Sequence, residues 1–238
     1  MLIIGAIYMV LLTCTSNPKM INNGIVQMKT IFYHPSGTPS VTYINQVWYK
    51  DSLTIEKITK KDFMTIRSKT TVTDSTLFFR FVNLRDKELY DYKHFSDTAV
   101  PFNKATLPDS MMDFGWSYYS HKVRRIHGTP QELSDTSIDH LIYKRIQFNF
   151  IGDDLTKGYK IGYYRCDEKA RMFSLEKNYG TKINCTMTKF EDFQTGFAGP
   201  FATVEIEFLS DSLNNEQLKI FDVWQKNRMK YPINKEKQ

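Results

Sequence analysis

Cysteine is scarce in this chain, with Cys14, Cys166 and Cys185 the only three among 238 residues. Two cysteines nineteen apart, with no partners at metal-ligand spacing, exclude a zinc-ribbon type of site. The 11 glycines and 8 prolines are spread thinly, which excludes a collagenous repeat and a disordered linker. No uncharged apolar run reaches the ~20 residues that a membrane-spanning helix needs. Also missing are a GxSxG elbow, a phosphate-binding glycine loop, an HExxH helix and a paired CxxC, so no recognised catalytic signature is present. An active site assembled from dispersed residues would leave no such mark.

The first fourteen residues, MLIIGAIYMVLLTC, hold an apolar stretch over residues 2–12. It is too short for a permanent anchor and meets Thr-Ser-Asn-Pro at once, which is the pattern of a cleaved secretory signal. Leu11-Leu12-Thr13-Cys14 resembles a bacterial lipobox, with Thr13 in place of the usual Gly, Ala or Ser. No Lys or Arg precedes the run. The expected organisation is a signal peptide over 1–13, a tether over 14–23 starting at a lipidated Cys14, one β-rich domain over 24–231 and a basic tail over 232–238. A buried N-terminal strand of a cytosolic protein is the alternative.

Formal net charge is +6, but its location matters more than its size. From Lys226 onward five basic residues face Glu236 alone, so four of the six net charges sit at the C-terminus. A nucleic-acid-binding body would carry a basic stripe across its fold. A basic tail is instead suited to solvent or anionic headgroups, and no nucleic-acid partner is expected. With Cys14 acylated, Cys166 and Cys185 remain as an even pair, expected to form a disulfide in an oxidising compartment. The other reading is two buried thiols packing as small apolar groups.

Period-two alternation dominates. Residues 24–33 and 41–49, separated by His34-Pro-Ser-Gly-Thr-Pro39, predict a hairpin. Further strands are expected at 53–58, 63–72, 77–82 and 87–92, with a turn at Thr73-Asp74-Ser75. Residues 93–117 lack a clear period and suggest a long connection or lid with a short helix near Asp109–Met112. Strands resume at 117–126, 141–151, 159–166, 171–177, 182–188 and 201–208. Only the end is helical: Asn214 as cap, Gln217 three residues on, and Leu218, Phe221 and Trp224 along one face beside Ile220. Pro232 stops it. These elements predict an α+β, mainly β fold, a large curved antiparallel sheet with the C-terminal helix against it. Two sheet halves meeting near residue 115 is the second arrangement.

Candidate chemistry is thin. His121 and His127 would share a strand face around Arg124 and Arg125, but a third metal ligand is lacking, and no metal or cofactor is expected. Asp153 and Asp154, between Gly152 and Gly158, have the composition of a turn, as do Asp135, Asp139 and His140. Gly196-Phe-Ala-Gly199-Pro200 suggests a tight connection, and Asn184-Cys185-Thr186 matches a glycosylation sequon that a bacterial lipobox argues against. The aromatic residues fit either a concave ligand face or a dry core under the helix.

The order of several short elements resembles the GLPGLI-type exported proteins of Bacteroidota. These elements are Gly24-Ile25-Val26, Phe95-Ser96-Asp97-Thr98-Ala99, Thr106-Leu107-Pro108-Asp109, and Gly162-Tyr163-Tyr164-Arg165-Cys166 with Ala170. The Leu-Pro-Gly-Leu-Ile element itself is missing; Gly199-Pro200-Phe201-Ala202 is nearest to its place. The resemblance implies a half-barrel akin to periplasmic lipoprotein carriers and an envelope location, and brings no catalytic residues. The expectation is a non-enzymatic, lipid-anchored envelope protein that binds a lipid, an apolar peptide or another envelope component. A hydrolase of envelope polymers and an interaction subunit of a surface complex are the alternatives.

Overall fold

The computed structural model describes residues 21–66, 69–107, 124–126, 128–152, 157–167, 171 and 183–231. The elements are β1 (Asn23–Tyr33), β2 (Pro39–Lys50), β3 (Leu53–Ile66), β4 (Lys69–Asn83), β5 (Glu88–Tyr92) and β6 (Pro101–Thr106). They continue with β7 (Arg124–Ile126), β8 (Gln131–Ile138), β9 (Leu141–Gly152), β10 (Lys157–Arg165), β11 (Thr186–Gln194) and β12 (Ala202–Ser210). Helix α1 (Asn215–Asn227) and a 3-10 turn over Arg228–Lys230 complete the described chain. The expected antiparallel sheet with a C-terminal helix against it is what the chain forms.

The strands make one sheet in the order β6-β5-β4-β3-β2-β1-β12-β11-β10-β9-β7, with β8 also on β9. The described chain starts at the centre with β1, meanders out to β6, and resumes at the opposite edge. It then meanders back until β12 closes on β1 over Ile25–Phe32. The two sequence halves are therefore two meanders, but the β1–β12 pairing joins them into a single open sheet. Strands β7 and β8 pair successive stretches of β9, so they share one edge.

Apolar side chains occupy both faces, and the long alternating strands dictate how. In β1 and β2, Val26, Met28, Val47 and Tyr49 point one way, while Ile25 and Trp48 point the other. On the second face, α1 lays Ile220, Phe221 and Trp224 over Trp48, Ile55, Phe81, Tyr90 and Tyr92. Asn214 caps the helix with both arms of a capping box, its side chain on the Gln217 N–H and the Gln217 side chain on the Asn214 N–H. Ion pairs pin it at Lys50–Asp222 (2.6 Å), Lys219–Asp97 (2.6 Å) and Arg228 with Asp86 and Glu88. Arg228, expected among the solvated basic residues of the C-terminus, thus clamps the helix end to the β4–β5 turn.

Three expectations need correction. Thr73-Asp74-Ser75 is not a turn: these residues pair with Asp62, Lys61 and Lys60 in a long β3–β4 hairpin. The β-branched content of 70–73 sustains the strand, and Lys61 holds Asp74 across it at 3.1 Å. Residues 101–106, expected in a lid, form β6 on β5, where pairing rather than side-chain period fixes an edge strand. The remainder of that expected lid and helix lies outside the described residues. Finally, β11 starts at Thr186 rather than 182 and runs to Gln194, directly beside β10. No strand intervenes between β10 and β11, and Arg165 pairs with Thr186. The next residues outward, Cys166 and Cys185, are joined by the expected disulfide, their Cα atoms 4.2 Å apart across neighbouring strands.

Candidate functional site

The sheet face opposite α1 carries the most distinctive chemistry. Its centre is the apolar cluster of Val26, Met28, Val47, Tyr49, Ile146, Phe148, Tyr164, Met187, Val204 and Ile206. Among the described residues no helix lies over it. Because directly paired residues share a face, the registers give one row across six strands: Val26, Val47, Glu56, Arg80, Asp91, Asn103. An apolar floor thus passes into a polar row that ends at the edge strand β6.

Within that row Arg80 donates two hydrogen bonds to the Asp91 carboxylate, Nε to Oδ1 at 2.8 Å and the guanidinium Nη2 to Oδ2 at 3.1 Å. Asn103 donates to the same Oδ2 at 2.8 Å. Asp91 is thereby satisfied although only 2 % exposed. Glu56 is equally buried, at 2 %, but its Oε1 has no hydrogen-bond partner. Burial pushes its carboxyl up to about 8; Arg80 pulls in the opposite direction and Asp91 adds to the rise. The group is therefore held largely as a neutral acid near pH 7. Two more oxygens on this face, Asn45 Oδ1 and Thr54 Oγ1, are likewise buried and without a partner.

Toward β10 and β11 the same face bears Lys160, which pairs in register with Phe148 and Asp192. Its ammonium lies 4.9 Å from the centre of the Phe190 ring, a cation–π contact. Gly162 is needed where it stands, because a Cβ would come within 2.8 Å of the Tyr164 ring. At the end of β10 and β11 a shallow depression of about 540 Å³ is lined by Lys157, Tyr159, Phe193, Gln194 and the 195–199 loop. Tyr159 and Phe193 stack there with centroids 4.7 Å apart.

The residues singled out from sequence fare unevenly. Cys14, His121, His127, Asp153 and Asp154 lie outside the described residues. Arg124 and Arg125 lie in β7, paired with Gly152 and Ile151 of β9. Asp139 and His140 are the two central residues of the β8–β9 turn, both with positive φ (50° and 66°), the backbone that two-residue hairpin turns demand. They are turn residues, not an acid–base pair, and Asp135 sits at the register shift of β8. Asn184 also has positive φ, and so does Gly196 in the loop into β12. Among the described residues no group of three His, Cys, Asp or Glu could hold a metal ion. Sequence reasoning missed Glu56, Arg80 and Asp91. The available signal was a carboxylate on the strand face of Thr54 and Ile58, but its partners belong to other strands. Neither a protein-family model nor a curated protein matches the chain.

Proposed function

We propose that the protein is a non-enzymatic lipoprotein of a bacterial cell envelope, tethered through Cys14, that binds a lipid or apolar peptide on the sheet face opposite α1. The observation that carries the binding reading is the second apolar face. One helix suffices to cover one side of a sheet, yet Val26, Met28, Val47, Val204 and Ile206 build a second buried apolar cluster on the other side. Pockets for such ligands are lined mainly by apolar side chains with a few placed polar groups, which is the composition of this face.

Two further features support the compartment. The Cys166–Cys185 disulfide suits an oxidising location and leaves Cys14, at the end of the apolar run, as the one remaining cysteine. The resemblance to GLPGLI-type exported proteins points the same way, and the open antiparallel sheet agrees with its half-barrel plan.

Native mass spectrometry of protein taken from its own membranes tests the reading. A lipid or apolar peptide should accompany the wild type, together with acyl mass on Cys14, and Cys14→Ser should lose the acyl mass and the detergent partition. A chain that carries no ligand, or that stays soluble with residues 1–13 attached, overturns it. Co-purification of a stoichiometric protein partner would instead favour a subunit of a surface complex.

A further inference from the structure

The depression at the end of β10 and β11 belongs to the other side of the sheet from the apolar cluster. Tyr159 and Phe193 are paired in register and alternate with Lys160 and Asp192, so strand periodicity puts them on the α1 side. The helix itself is fastened at the start of β1, where the Leu213 N–H donates to Asn23 Oδ1. Asp192 pairs with Ala202, which lies opposite Phe32 at the far end of β1. The two aromatic residues therefore stand clear of the helix, and Tyr159 is 36 % exposed.

Their rings are coplanar within 13°, with centroids 4.7 Å apart. Each ring in such a stack spends one face on its neighbour and keeps the other for a third flat group. Polar groups surround the pair. Asn149, exposed in β9, is directly opposite Tyr159. Its Oδ1 accepts a hydrogen bond from Gln147 at 2.9 Å, which keeps its amide N–H groups as donors. Lys157 and Thr195 are exposed at the strand ends. The 195–199 loop forms the far wall, held by the Ala198 N–H on the Pro35 carbonyl at 3.1 Å and by Phe197 edge-on to Phe201. A Cβ added at Gly196 or Gly199 would meet nothing within 4 Å, so the backbone of this wall borders open space.

These features select among ligands that have a flat face. No Asp or Glu lines the depression, which disfavours guanidinium and ammonium groups. Single-stranded nucleic acid needs a positively charged groove along its backbone. Here Lys157 is the one cation of the lining, and Lys189, on the same face, is engaged by Glu191 at 2.8 Å. A lipid chain gains little from a shallow site with a polar border. A pyranose ring suits both parts, because its C–H face lies on an aromatic ring while its hydroxyls point outward to amide, hydroxyl and ammonium groups. We infer that Tyr159 and Phe193 are the stacking platform of a binding site for an uncharged glycan, with Asn149, Thr195 and Lys157 as its hydrogen-bonding border. The site is separate from the apolar face and does not depend on the ligand proposed there.

Calorimetric titration of the full chain with cellohexaose, laminarihexaose, maltohexaose and chitohexaose, beside hexauridylate, tests it. At least one hexasaccharide should bind, with an affinity indifferent to added salt. Tyr159→Ala should weaken that binding about fivefold or more, and Tyr159→Phe should keep it. Asn149→Ala should weaken it without shifting the thermal melt. Failure of all four sugars to bind the wild type overturns the site, as does tighter, salt-sensitive binding of hexauridylate or undiminished sugar binding by a folded Tyr159→Ala protein. Each of those results leaves the apolar-face reading untouched, since that face lies on the other side of the sheet. The wild-type panel decides the matter even where Tyr159→Ala fails to fold.

Discussion

Trp224 of helix α1 and Tyr92 of β5 lie ring on ring, with centroids 3.7 Å apart and planes within 4°. The indole N–H donates to the Ser96 carbonyl at 2.9 Å, so a fully buried Trp has both its face and its polar edge satisfied. Phe81 and Phe95 meet the same indole edge-on. This contact fastens the helix to the sheet, and its removal leaves a cavity the size of an indole. Trp224→Ala is expected to cost roughly 3–5 kcal/mol. Lys219→Ala, which breaks only an exposed ion pair with Asp97, should change stability little by comparison. Urea denaturation of the two variants checks this; equal, small effects would mean the helix contributes nothing to the core.

Tyr92→Phe separates the ring from its hydroxyl. The hydroxyl is buried without a partner, and burial pushes its pKa well above the usual phenol value. Deleting it keeps the stack and removes an unsatisfied group, so stability should hold or rise by up to about 1 kcal/mol. A loss above that amount in the same denaturation experiment would show that the hydroxyl has a partner after all.

Asn214→Ala removes one arm of the capping box and strands the Gln217 N–H, which Asn214 Oδ1 accepts at 2.9 Å. The expected loss is about 1 kcal/mol, and Asn214→Gly should recover most of it. Thermal melts of the pair measure the difference.

The disulfide ties the ends of β10 and β11 and closes a loop of 19 residues' separation. In the chain-entropy account it stabilises by roughly 3 kcal/mol. Reduction, or the Cys166→Ala, Cys185→Ala double variant, should lower the urea midpoint accordingly. Thiol counting on denatured, unreduced protein should find no free thiol beyond Cys14.

Glu56 makes stability depend on pH. Its folded-state pKa, near 8, lies above the ordinary carboxyl value of 4.5. Between those values the native state holds a proton that the unfolded chain has released, so stability falls as pH rises through that window and levels off above it. The limiting slope for one such group is about 1.4 kcal/mol per pH unit. Glu56→Gln carries no proton to lose and should gain on the wild type steadily from pH 5 to 8. A gap between the two proteins that stays constant across that range would count against the buried acid.

Local pattern made much of this architecture legible. Alternation in β1 and β2 around a Pro-Ser-Gly turn predicts their hairpin, and the Asn214–Gln217 spacing predicts the cap of α1. Leu218, Phe221 and Trp224 predict which side of that helix turns inward. Each of these depends on residues a few positions apart, where backbone geometry and side-chain direction are fixed by the chain itself.

Other features depended on pairing between distant strands. Strand β6 has no alternation to announce it and exists because β5 offers a free edge. Cys166 and Cys185 meet because β10 and β11 are neighbours, whereas sequence spacing placed a strand between them. Alternation states that a strand has two faces but not which one is buried. Here α1 covers one face over β1 to β5, and the apolar cluster on the other runs from β2 to β9, so only assembly assigns each residue its side. The row of Glu56, Arg80, Asp91 and Asn103 spans four strands, and its members are remote in sequence. Sequence determined most of the elements and the inward stripe of α1, because those are local. Tertiary structure decided the buried acid and its neighbours, because a cross-strand register places side chains together without leaving any trace in the spacing of the chain.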